Sequence, residues 1–340
     1  MPDSSPAQFV GVDVGTSRIV VQRSLLDQPP TQHTELNAYI ELPNTPAVLT
    51  SLRSRKVPCR TEDGRVLAFG KWSTTFAELF HSEVCRPMSE GCVNGRDERS
   101  TYMLEALLTD LLGKQVSPGS PLVFSVPSQG VDGSRPGRAD LAFHQTFLQQ
   151  LFTRLGYRAV PLHEGEAVVY SELAEENYTG IGISFGAGLC NISFTYLSVP
   201  IIDFHLARGG DWIDASAAAI VNEKTTRVRV IKERGFSLRQ DGGTFVNQSL
   251  NLFYRQLIEE VVQEMCTVFS NHDELPVLEE PVPVVLAGGT AMPAGFAEQF
   301  SQALMASSFP LKISGYRLAS DPLNAVADGC YRYAKANFSA

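Results

Sequence analysis

Five short stretches carry side chains suited to phosphate and cation chemistry. "FVGVDVGTSRIVV", residues 9–21, is an apolar run, a glycine turn and a second apolar run, with Asp13, Gly15, Thr16 and Ser17 at the turn. A hairpin needs only the glycines. A carboxylate beside glycines and hydroxyls, at the end of a buried strand, suits a hydrated cation and phosphate oxygens; a solvated turn is the other reading. "LARGGDWIDASAA", 206–218, sets Gly209, Gly210 and Asp211 at the start of an apolar helix, where backbone can approach a ligand closely. "VPVVLAGGTAMPAGF", 282–296, runs a buried strand into Gly288, Gly289 and Thr290, with room for a flat base or a ribose. "VPLHEGEAVVYSEL", 160–173, ends a strand and starts a helix at Glu164, with Glu166 two residues on. Both acids also satisfy the plain preference for negative charge in a first helical turn. "RVIKERGFS", 229–237, sets Lys232 beside Glu233 just before a glycine.

The rest of the chain narrows the chemistry. The 340 residues are 44% hydrophobic and 19% charged, which describes a globular chain long enough for two domains. The net charge of −9 gives no nucleic-acid surface, and the densest basic stretch, 225–235, contains an acid of its own. No apolar run has the length of a membrane span, and "MPDSSPAQ" has neither a basic nor an apolar signal region. A cytoplasmic protein with no direct membrane anchor is expected. The cysteines at 59, 85, 92, 190, 266 and 330 have no CxxC spacing and read as buried thiols of a reducing compartment. No two of the six histidines have metal-pair spacing; His163, next to Glu164, reads as a packing residue or as a partner of that acid.

The elements that must hold these stretches alternate. Strand patterns fall at 9–13, 18–23, 122–126, 158–162, 181–185, 190–197, 200–205 and 283–287. Helical patterns fall at 98–112, 139–155, 165–176, 212–222, 249–269, 293–307 and 322–336. The class is α/β. One internal echo stands out: "GIGISFGAGLCNISF", 180–194, repeats the strand, glycine turn and strand of the first stretch. Two such hairpins half a chain apart predict two related domains, each offering backbone N–H groups to the same phosphates; a duplicated core with a common glycine hairpin is the other reading.

In this order the motifs resemble those of the actin superfamily of ATPases. "GVDVGTS" resembles the first phosphate motif, "GISFGAGLCNISF" the second, "GGDWID" the glycine pair with its acids, "VVLAGGTAMPAGF" the adenosine motif and "DPLNAVADGCYRYA" the C-terminal connecting helix. "RPMSEGCVN" at 86–94, "NTPAVLTSL" with "GRVLAFGKWS" within 44–73, and "RVIKERGFS" are similar to features of the bacterial actins, MreB and the magnetosome actin MamK. The resemblance spans nearly the whole chain. It implies a ribonuclease H-like two-domain fold with a nucleotide cleft between the domains. Domain I would comprise 1–178 plus 318–340, with a small insertion at about 32–95. Domain II would comprise 179–317, with a reduced insertion at about 224–248.

The resemblance also implies ATP and Mg2+ as ligands and assigns roles by position. Asp13 would organise the magnesium through water, and Gly15, Thr16 and Ser17 would line the phosphates. Ser184, Gly186 and Gly188 would form the second phosphate loop. Glu164 would orient the attacking water, with Glu166 as a competitor. Gly209 and Gly210 would flank phosphates and ribose, Lys232 and Glu233 would contact the nucleoside, and Gly288, Gly289 and Thr290 would hold adenosine.

The sequence departs from the family pattern at three places. The second phosphate motif ordinarily opens with aspartate and closes with threonine; here these are Ser184 and Leu189. Serine carries no charge to a magnesium shell, so a weak Mg-dependent ATPase is expected, slowed on the order of 10–1000-fold. Gly165 stands where a proline usually follows the glutamate, and about ten residues replace a fuller insertion after "IKERGFS". The expected function is an actin-like filament that polymerises head to tail, a homopolymer served by adaptor proteins. The alternative is a non-polymerising ATP-dependent switch. A small-molecule kinase of the same superfamily is the third reading, and it leaves 86–94 unexplained.

Overall fold

The computed structural model describes residues 8–25, 28–80, 82–113, 118–131, 135–239, 242–273, 275–278 and 280–339. The chain folds as two compact units. Unit 1 comprises Met1–Val126, Pro136–Pro161 and Cys330–Ala340; unit 2 comprises Pro127–Arg135 and Leu162–Gly329.

Unit 1 begins with β1 (Gln8–Val14), β2 (Arg18–Leu25) and β3 (Thr31–Leu36). Alternating valines place Val10, Val12 and Val14 in one core with Ile19 and Val21. β1 pairs antiparallel with β2, Asp13 opposite Val20. A small layer follows: β4 (Tyr39–Pro43), α1 (Pro46–Ser54), β5 (Cys59–Glu62), β6 (Arg65–Phe69) and α2 (Trp72–Phe80). Its sheet, in the order β4-β6-β5, closes a separate core around Ile40, Leu42, Leu52 and Phe76. α1 starts where Thr45 caps it, its hydroxyl accepting from Val48 N, with Pro46 in the first turn. The two-residue strands β7 (Met88–Ser89) and β8 (Cys92–Val93) form a short hairpin. α3 (Glu98–Leu112), β9 (Pro121–Val126), α4 (Arg138–Arg154) and β10 (Arg158–His163) complete the main layer, in the strand order β10-β9-β1-β2-β3.

In unit 2, α5 (Glu164–Glu172) packs against β11 (Gly180–Phe185) and β12 (Cys190–Tyr196). Next come β13 (Val199–Leu206), α6 (Gly210–Val221), α7 (Thr225–Glu233) and the 26-residue α8 (Phe245–Ser270). Then follow β14 (Val282–Ala287), a 3-10 turn (Gly289–Ala291), α9 (Phe296–Ala306) and β15 (Ile313–Leu318). α10 (Ala325–Phe338) closes the chain, its residues from Cys330 onward belonging to unit 1. The core gathers Ile183, Phe185, Tyr254, Phe269, Phe296 and Phe300. Phe185 meets Phe296 and Phe300 edge-on, a favoured aromatic geometry. No helix among the described residues is long and apolar enough to cross a membrane.

The two main sheets share one topology. Unit 1 orders its strands β10-β9-β1-β2-β3, and unit 2 orders them β15-β14-β11-β12-β13. In each, a three-strand meander is joined on its first strand by a parallel neighbour: β1 by β9 and β11 by β14. The sequence echo between 9–21 and 180–194 is therefore an echo of whole sheets.

Candidate functional site

In unit 1 the loop after β1 is built from backbone and held from three sides. Gly15 N donates to Arg18 O at 3.0 Å, closing the turn. A Cβ on Gly15 would lie 2.8 Å from that same carbonyl, so the tight turn needs glycine. Asn37, fully buried, donates from its side chain to Gly15 O at 2.9 Å and from its backbone to Ser17 O at 3.0 Å. Thr16 Oγ1 accepts from Gly91 N at 3.0 Å, and Arg86 reaches Ser17 Oγ at 3.5 Å. The "RPMSEGCVN" hairpin thus braces the first loop.

Asp13 is fixed by Ser125 on β9. That hydroxyl donates to Asp13 Oδ1 and accepts from Val14 N, each at 2.9 Å. Burial pushes the Asp13 carboxyl up to about 6, against the pull of the Ser125 hydrogen bond. A nearby cation would favour the ionised form of this carboxylate.

Unit 2 brings three of the expected stretches together. Gly186 O accepts from Gly210 N at 3.0 Å and from Thr290 Oγ1 at 2.8 Å. Ala187 O accepts from Asp211 N at 2.9 Å. The glycines here serve backbone-to-backbone packing. A Cβ on Gly209 would stand 2.4 Å from Ala187 O, and one on Gly288, whose φ is +90°, would stand 2.2 Å from Phe185 O. Gly188 lies in the same loop, half-buried, whereas Gly289 is exposed at the 3-10 turn.

Lys232 and Glu233 separate. Lys232 Nζ lies 2.7 Å from Asp214 Oδ1 and donates to Gly210 O at 3.1 Å. Asp214 is fully buried and also receives Arg229 Nε at 3.0 Å; Arg229 continues to Asp211 at 2.7 Å. This network fixes α7 against the start of α6. Glu233 is exposed at the last position of α7.

Glu164 is half-buried at the first position of α5, and Ser184 Oγ donates to its Oε2 at 2.8 Å. Ser184 is 3% exposed at the end of β11. The residue that departs from the family aspartate is thus the hydrogen-bond partner of the carboxylate expected to act on water. Leu189, where the family has threonine, is buried. Gly165 is required by space, since a Cβ would lie 2.6 Å from Ser193 N and 2.8 Å from Gly182 O. Its place against the sheet accounts for the missing proline.

Three residues that shape these loops carry no signal in the sequence: Ser125, Asn37 and Arg229. Asp214 is signalled by "GGDWID", whose second acid it is.

Two sheets of matching order, each with a glycine loop after its first meander strand and each flanked by helices, define the bacterial actin-like fold. The chain covers 96% of its own length and 98% of a chain in a MamK double helical filament, with TM-score 0.71 at 16% identity. MreB5 of Spiroplasma citri bound to AMPPNP matches 97% of this chain and 96% of its own, with TM-score 0.68 at 12% identity. The ethanolamine utilization protein EutJ of Carboxydothermus hydrogenoformans matches 96% of this chain and 90% of its own, with TM-score 0.57 at 17% identity. No curated protein matches the chain by sequence. The chain belongs to the Volactin family, whose pattern matches residues 9–334.

Proposed function

We propose that this protein binds ATP with magnesium, hydrolyses it slowly and polymerises head to tail into cytoskeletal filaments in the cytoplasm. The observation that carries the reading is the loop set of unit 2, where Gly186–Gly188, Gly209–Gly210 and Thr290 are tied into one backbone surface. Glycine loops of this kind let the backbone approach phosphate oxygens closely. The similarity to a MamK filament and to MreB5 bound to AMPPNP supports nucleotide binding and self-association.

Asp13 is the residue that would hold magnesium, through water, and the upward push that burial gives its carboxyl fits a cation there. Bound magnesium supplies charge neutralisation of the phosphates. Thr16 and Ser17, braced from 86–91, keep the first loop in one shape. Glu164 accepts a proton from, or orients, the attacking water while Ser184 holds its other side. With a serine hydroxyl in place of a carboxylate, position 184 carries no charge for a cation, and turnover is slow. Adaptor proteins are the further partner class of such a filament.

The second reading, a monomeric ATP-dependent switch, is favoured by the short stretch between Glu233 and Phe245, which leaves little insertion for contacts between subunits. Sedimentation at increasing protein concentration with ATP, ADP or no nucleotide decides between them. Pelleting above a critical concentration only with ATP supports the filament. ATP binding without pelleting at any concentration supports the switch.

A further inference from the structure

The start of α5 is held at three consecutive positions, all within unit 2. His163, the residue before the helix, puts Nδ1 3.5 Å from Asp203 Oδ1 on β13. Asp203 also accepts a short hydrogen bond from Ser193 Oγ on β12. Glu164 is held by Ser184, and Gly165 is pressed on Ser193 and Gly182. Glu166 is 8% exposed and lies within electrostatic reach of both Asp203 and His163. The nucleotide chemistry proposed above gives His163 and Asp203 no task.

We propose that His163, held by Asp203, is a positioning residue that sets Glu164 in place, so that turnover depends on the proton carried by His163. The inference rests on the reading that Glu164 acts on the attacking water. Adjacent Cα atoms are about 3.8 Å apart, so a shift at His163 is passed directly to Glu164. A protonated His163 attracts Asp203 and closes the turn on β13. When the proton leaves, Asp203 and an ionised Glu166 face each other as like charges, and the turn is pushed off the sheet.

The electrostatics agree with that geometry. Burial lowers the His163 imidazole, but the Asp203 hydrogen bond and the charges of Asp203 and Glu166 outweigh it, and the net shift is upward. Burial, then the charge of Asp203, pushes Glu166 up to about 7, with His163 pulling it back.

The other titratable groups on the packed elements are accounted for. β11 and β14 carry none. On β13, His205 is engaged by the carbonyls of Ser128 and Arg135. On β12, the Cys190 thiol is held up by burial and by the charge of Glu164, and Tyr196 lies at the far end of the strand. Further along α5 are Tyr170, and Glu172 paired with Arg317. On α10, Asp328 accepts from Ser171.

The test is steady-state phosphate release by the full chain from pH 6 to 9 at varied ATP. It compares wild type with His163→Asn, Asp203→Asn and Glu164→Gln, with thermal unfolding of each as a check of folding. Wild-type kcat is expected to fall on the alkaline side. His163→Asn and Asp203→Asn are each expected to lower kcat about 10-fold, to flatten that alkaline limb and to leave KM for ATP within about twofold. Glu164→Gln is expected to abolish turnover. If Glu164→Gln is inactive while both other variants keep the wild-type kcat and pH limb, the proposal is overturned and the role of Glu164 stands. If Glu164→Gln is as active as wild type, the underlying reading falls and takes the proposal with it. As a readout independent of turnover, Asp203→Asn is expected to lower the NMR titration midpoint of the His163 ring; an unchanged midpoint also overturns the pairing.

Discussion

Replacing Ser184 by aspartate puts a carboxylate where a hydroxyl now donates to Glu164 Oε2 at 2.8 Å. Two things change together. The donor becomes an acceptor, and a second negative charge arrives at hydrogen-bond distance. At an effective dielectric constant of about 20 the repulsion at this separation is about 6 kcal/mol before relaxation. Side-chain rotation and sharing of one proton relieve part of this, leaving a cost of about 2–4 kcal/mol at pH 8. The shared proton raises one folded-state carboxyl above its unfolded value. Stability is therefore retained at pH 4 and lost as pH rises. Magnesium with ATP supplies the charge that the pair needs, and the loss is expected to disappear when both are present. Turnover is then expected to rise on the order of 10–1000-fold, since the missing carboxylate is restored to the magnesium shell. The assay is thermal unfolding of wild type and Ser184→Asp at pH 5 and 8, with and without Mg-ATP, followed by phosphate release. A variant as stable as wild type at pH 8 without nucleotide, and no faster with it, refutes the reasoning about Ser184.

Three further outcomes follow from the same geometry. Glu166 titrates at about 7 in the folded protein, so its ionisation costs stability as pH climbs from about 4.5 through 7. Glu166→Gln is expected to gain on the order of 2 kcal/mol over wild type at pH 8 and nothing at pH 4, read by urea unfolding at both values. His144 in unit 1 has the opposite sign. Its ring is fully buried and pushed down to about 4, so its contribution is present above pH 6.5 and is lost as pH falls toward 4. His144→Gln is expected to remove that acid slope from urea midpoints measured between pH 7 and 5. Gly209→Ala forces a Cβ to within 2.4 Å of Ala187 O and is expected to cost about 1–3 kcal/mol while weakening ATP binding, measured by thermal shift and by fluorescent-nucleotide titration.

Much of the fold is legible in the sequence because its main strands are buried on both faces. β1, β9, β11 and β14 read as largely apolar runs, and each lies where the pattern places it. Half-exposed elements are not legible in this way. β15 is an edge strand with one sheet neighbour and no fully buried residue, so its periodicity is weak. α7 buries only Val228, and its charged residues hide the helix in what reads as a basic stretch. β4, β5 and β6 are visible as a family insertion but not as strands, since each is only four or five residues long.

At the site, the glycines are legible by type, but their reason is not. Gly209 and Gly288 are demanded by neighbouring carbonyls, a fact of packing that spacing cannot carry. Ser184 is legible as a departure and Glu164 as a carboxylate at a helix start, whereas their hydrogen bond, across twenty residues, becomes visible only when α5 lies on β11. Ser125 and Asn37 are ordinary residues whose work depends on positions 112 and 22 residues away.

The central claim is a nucleotide-driven filament whose hydrolysis lags its assembly. Ninety-degree light scattering and phosphate release followed on one sample, with and without Mg-ATP, test it most directly. Scattering that rises only with Mg-ATP, with phosphate appearing slowly behind it, is the expected result. Flat scattering at high protein concentration despite saturating ATP, or phosphate release that outruns assembly, contradicts it.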